Sequence, residues 1–136
     1  FFKGEVFSFI DGEVWIYIIS LIFGFIFFWN QKKVLKFKIV KANLTKDKIN
    51  EIIKSVSLDL EWEAWYIDER VIIAKTRPGF FSGSWGEQIT IIFDNGKIMI
   101  NSINDPDKRS SIVSFGRNRK NIEVFINNIN KSLIQK

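Results

Sequence analysis

EQITIIFDNGKIMINSI, residues 87–103, decides the architecture of this 136-residue chain. Asn95-Gly96 separates two runs rich in Ile. The dipeptide signals a type I′ turn, because both central residues of that turn take φ > 0. With Asp94 opposite Lys97, Phe93 faces Ile98, Ile91 faces Ile100 and Ile89 faces Ser102. These residues form the expected buried face. Ile92 then faces Met99 on the other side and leaves an apolar pair there, so that side is either covered or used in a contact.

Other elements extend outward from this hairpin. LEWEAWYI (60–67) and RVIIAK (70–75) read as two strands joined at Asp68-Glu69. Leu60, Trp62, Ala64 and Tyr66 share one face, and Glu61, Glu63, Trp65 and Ile67 the other. Before them, Ile49, Ile52, Ile53 and Val56 repeat at helical spacing. Thr45 is placed to cap that helix, with Asp47 in its first turn. VLKFKIVK (34–41) alternates, which predicts a strand burying Leu35, Phe37 and Ile39 and exposing Lys36 and Lys38. Past the hairpin, Ile122, Phe125, Ile126, Ile129 and Leu133 predict a closing helix over 118–134. The expected fold class is α+β. An antiparallel sheet of about five strands carries two helices on one face, in the order β-α-β-β-β-β-α.

An apolar segment precedes this domain. Glu13 and Lys32 bracket 18 residues without charge, including VWIYIISLIFGFIFFW (14–29). As a helix they cover about 27 Å, close to the hydrocarbon thickness of a bilayer. The segment is apolar all round, unlike a surface helix. The alternative is the core helix of a soluble protein, but a small domain can hardly wrap such a helix on every side. Trp15, Tyr17, Trp29, Lys32 and Lys33 are the expected interfacial anchors. Ser20 and Gly24 form a small-xxx-small pair suited to close helix packing. Residues 13–31 are therefore read as a transmembrane helix.

Residues 1–31 hold one Lys and three acids, whereas 32–48 hold seven Lys and one Asp. The positive-inside rule places 32–136 in the cytoplasm as a domain and 1–12 outside. FFKGEVFSFIDG (1–12) is short and turn-ended, as expected of a loop leaving an earlier span. Position 1 is Phe and the sole methionine is Met99, so the reading expects residues upstream. With only about three residues between span and first strand, Lys36 and Lys38 are expected near lipid headgroups.

Composition narrows the chemistry. The chain has no Cys and no His, 46% hydrophobic residues and a net charge of +5. Disulfides, Cys/His zinc sites, thiol nucleophiles and Ser-His-Asp relays are excluded. Glu61, Glu63, Asp68 and Glu69 read as a solvated hairpin edge, or as an acidic docking patch. Asn104-Asp105-Pro106-Asp107 reads as a turn. No catalytic residue, cofactor or metal is expected, and no nucleic-acid module is visible.

Two segments remain as candidate contacts. PGFFSGSWGE (78–87) offers Phe80, Phe81 and Trp85 to a partner, unless Trp85 simply packs. Lys108, Arg109, Arg117, Arg119 and Lys120 occupy a stretch without acids at the start of the last helix. They are the candidate anion or lipid contacts, the alternative being a solvated basic loop.

Ala74-Lys75-Thr76, the loop 78–87, Ser102 and Gly116-Arg117-Asn118-Arg119-Lys120-Asn121-Ile122 form a further pattern. Residues 71–129 thereby resemble a bacterial family of small, often membrane-attached α+β domains of unknown function. The spacing after Gly116 differs by one residue from that pattern, and its Arg-rich strand end is missing. The resemblance implies a compact domain and assigns no activity. The expected function is a membrane-anchored, non-enzymatic accessory subunit in a bacterial inner membrane, with lipid and other membrane subunits as partners. An anionic-lipid-binding surface domain is the alternative, ahead of an enzyme.

Overall fold

The computed structural model describes residues 13–77, 84–109, 114 and 116–134. The chain divides into two units, Phe1–Val34 and Leu35–Lys136. In the first, α1 spans Glu13–Val34, with Lys32 and Lys33 in its last turn. The helix thus continues three residues beyond the expected end at 31. Its side chains from Val14 to Val34 are exposed on every side. From Val14 on, α1 is long and apolar enough to cross a membrane.

The second unit is α+β. Its strands are β1 (Lys38–Lys41), β2 (Trp62–Tyr66), β3 (Val71–Thr76), β4 (Glu87–Asp94) and β5 (Lys97–Asn104). They form an open antiparallel sheet in the order β1-β5-β4-β3-β2. Helices α2 (Lys46–Leu60) and α3 (Arg117–Ile134) complete it. Their buried residues Ile49, Ile52, Ile53, Val56, Phe125 and Ile129 share one core with Ile72, Ala74, Ile89, Ile91, Ile98 and Ile100 of the sheet.

The β4–β5 register matches the expectation pair for pair, from Asp94 opposite Lys97 to Ile89 opposite Ser102. Asn95 and Gly96 take φ of 43° and 75°, as a type I′ turn requires. Thr45 caps α2, its Oγ1 accepting from Lys48 N. At the other end Glu61 adopts the left-handed conformation, φ 54°, and its N–H bonds Ser57 O. That cap ends the helix at Leu60 and starts β2 at Trp62, so Leu60 belongs to the helix and not to the strand.

The expected facing of the first strand is corrected. The strand is only Lys38–Lys41, and Leu35 and Ile39 are 62% and 60% exposed. Phe37 is also exposed. Register is the cause. Val40 lies opposite Ile98 and Lys38 opposite Ile100, which are core residues, so Ile39 faces outward opposite Met99. Alternation tells which residues share a face. The partner strand decides which face is buried.

Candidate functional site

The densest side-chain chemistry among the described residues lies at one end of the sheet, on its core face. Trp62 is opposite Thr76 on β3, and Glu87 is opposite Asn104 on β5. Glu87 is fully buried. Thr76 Oγ1 donates to its Oε2 at 2.5 Å and accepts from its N–H at 2.9 Å. Ser84 Oγ donates to Oε1 at 2.6 Å. Arg117 Nε approaches Oε1 at 2.9 Å, off the line of a good hydrogen bond, so the contact is an ion pair. Gly116, at φ 79°, delivers the chain into α3 and Arg117 onto this carboxylate.

A second run of polar groups ties α3 to the sheet. Trp62 Nε1 donates to Asn121 Oδ1 at 3.4 Å, and Asn121 Nδ2 to Ser102 Oγ at 3.2 Å. Ser102 Oγ donates to Asn118 Oδ1, and Asn118 Nδ2 to Asn104 Oδ1. Buried polar groups this well matched cost little and fix one docking of the helix. Glu87 is fully buried, and its carboxylate is engaged by Thr76, Ser84 and Arg117.

Beside it, Lys75 Nζ bonds Asp105 Oδ1 at 2.9 Å and Asp107 Oδ2 at 2.5 Å. Asp105 Oδ1 also accepts from Asp107 N, forming the expected turn. These hydrogen bonds, first Asp107 and then Asp105, raise the Lys75 pKa, and the one to Lys75 holds Asp107 below its ordinary value. A depressed carboxyl stabilises the fold above about pH 4, its unfolded value, and loses that contribution as pH falls through its folded value. Asp107→Asn should therefore lower the thermal midpoint slightly at pH 7, and the difference should shrink as pH falls below the unfolded value. Thermal scans across that acid range check this. Lys75, raised instead, adds stability that is lost only on the alkaline side.

Three of the expected anion contacts have partners within the fold. Arg117 holds Glu87, and Arg119 pairs with Glu123 one turn on. Arg109 lies over the Trp85 ring at 5.8 Å, and Trp85 is exposed rather than packed. Lys120 lines an open cleft of about 200 Å³ with Asp59, Glu61, Arg117 and Asn121, where the two acids oppose an anion. Lys108 is exposed, as are Lys36 and Lys38. Phe80 and Phe81 lie outside the described residues. Of the acidic edge, Glu63 pairs with Arg77, and Asp68 accepts from the N–H groups of Arg70 and Val71. In the helix of the first unit, Ser20 Oγ donates to Ile16 O, and a Cβ at Gly24 would meet open space. Trp15, Tyr17 and Trp29 are exposed near its ends.

The sequence reading assigns no role to Glu87 or Ser84 and places Asp105 only in a turn. Thr76, Ser102, Asn118 and Asn121 lie in the segments that carry the resemblance, which assigns them no role; Thr76 binds Glu87, and the other three form the polar run under α3. No protein-family model matches the chain, and no curated protein or solved structure matches it either.

Proposed function

We propose that this chain is a membrane-anchored, non-enzymatic accessory subunit of a bacterial membrane assembly. Helix α1 is the anchor, and the α+β domain faces the cytoplasm and meets neighbouring subunits. The observation that carries the reading is α1 itself. It runs 22 residues, is exposed on every side from Val14 to Val34 and carries Lys32 and Lys33 in its last turn. A helix of that length covers about 33 Å, enough to span with some tilt. Basic residues at that end favour the cytoplasmic side. The buried state of Glu87 supports a domain whose polar chemistry serves its own structure.

The full chain should stay with membranes through an alkaline carbonate wash, and a variant lacking residues 13–34 should appear in the soluble fraction. Purification from the native membrane in mild detergent should bring stoichiometric membrane partners. A full chain released by carbonate defeats the anchor. A chain that arrives alone defeats the subunit role. A lipid-binding role is the second reading, favoured by Lys41 lying directly opposite Lys97.

A further inference from the structure

The sheet has a second face. Helices α2 and α3 contribute to the core on one side. On the other side the register sets Ile39, Met99, Ile92 and Val71 in one row across four strands. Trp65 and Ile73 stand in the next row, followed by Thr90 and Asn101. Ile39, Trp65 and Ile67 are exposed, and Met99, Ile92, Val71 and Ile73 are half-buried. A contiguous apolar surface of this kind marks a contact.

The charge at its border indicates with what. The row beyond Ile39 and Met99 is Lys41 opposite Lys97, both exposed. Like charges directly opposite on paired strands repel. Asp94, opposite Lys97, is 3.9 Å from Arg70 and so is shared with a third cation. The border thus sets three bases, Lys41, Lys97 and Arg70, against two acids, Asp94 and the Asp68 that binds the Arg70 and Val71 N–H groups, beside an apolar row. A surface that offers acyl chains next to anionic headgroups satisfies both. The chain also limits the distance. Only Leu35, Lys36 and Phe37 separate α1 from β1, which reach about 10 Å when extended. Two of these three are apolar and exposed.

We infer that the open sheet face, with Ile39, Met99 and Ile92 inward and Lys41, Lys97 and Arg70 at its border, rests on an anionic membrane leaflet. This deepens the anchored reading above and rests on it. The face opposite the helices lies on lipid, and the helices face the aqueous side.

Absence of cysteine makes single-cysteine labelling clean. Full-length Met99→Cys, Ile39→Cys, Phe23→Cys and Lys131→Cys variants, each carrying an environment-sensitive fluorophore, are reconstituted in phosphatidylcholine–phosphatidylglycerol vesicles. Half of the vesicles have brominated acyl chains. Phe23 reports the span and Lys131 the helical face. The inference expects bromine quenching at positions 99 and 39 several-fold above that at 131. It expects this quenching to fall in pure phosphatidylcholine and in the Lys41→Glu/Lys97→Glu background. Should Met99→Cys not fold, the exposed edge position Ile39→Cys carries the test. Quenching at 23 with none at 39 or 99 overturns the inference and leaves the anchor standing. No quenching at 23 removes the anchor and the inference with it. Efficient disulfide formation between Met99→Cys chains in dilute vesicles also overturns it, because the face then meets a second copy.

Discussion

Glu87→Ala should be among the most damaging single substitutions in the domain, costing about 3 kcal/mol. The side chain is fully buried; it accepts hydrogen bonds from Thr76 Oγ1 and Ser84 Oγ and forms an ion pair with Arg117. Truncation leaves two hydroxyls without their acceptor and a guanidinium without its counter-ion. Removing one partner of a buried ion pair costs about 3–5 kcal/mol. The low end applies because the Arg117 side chain is 33% exposed and can turn towards water. Against a domain stability of about 5–15 kcal/mol, that is a large loss. Hydrogen exchange of the β4 and β5 amides in the full chain measures it. About 3 kcal/mol corresponds to roughly a hundredfold faster opening. Arg117→Ala combined with Glu87→Ala should cost less than the sum of the two, since each removes the other's partner. Additive losses would show that the two side chains act independently and that the ion pair contributes nothing.

The elements differ in how readable they were. The hairpin was legible to the residue because Asn95-Gly96 forces φ > 0 at two adjacent positions and thereby sets the register. Helix α2 was legible because Thr45 and the spacing of Ile49, Ile52, Ile53 and Val56 agree. Strand β1 was misread for a physical reason. Of the alternate set Leu35, Phe37 and Ile39, the first two precede the strand and are exposed, and Ile39 is turned away from the core by register. The polar end of the sheet was illegible for another reason. Thr76, Glu87, Ser102 and Asn121 span 46 positions of sequence, and only strand register and the docking of α3 bring them together. A lone Glu at a strand start looks like any solvated acid. The basic loop showed the converse. Arg117 and Arg119 look like free cations in sequence, but folding supplies each with a carboxylate.

Phe125→Ala should cost about 3–5 kcal/mol, the range for removing a buried aromatic ring. Phe125 is 1% exposed and lies in the core cluster that joins α2, α3 and the sheet. Its ring is 6.2 Å from that of Trp62, in a tilted contact. Trp62 is in turn held by Asn121, one helical turn before Phe125. The ring therefore supports two things at once, the apolar packing of α3 and the orientation of the indole that begins the polar network. A cavity at 125 should loosen both. The expected loss exceeds that of Phe125→Leu, which keeps most of the volume. Near-ultraviolet circular dichroism should lose Trp62 signal in Phe125→Ala, while far-ultraviolet helix content persists at low temperature. Ile122→Ala, at a half-buried position on the same helix, serves as the comparison and should cost less. Equal costs at 122 and 125 would mean that α3 presents a different face to the sheet. A cost below about 1 kcal/mol at 125 would mean that the helix does not close this core.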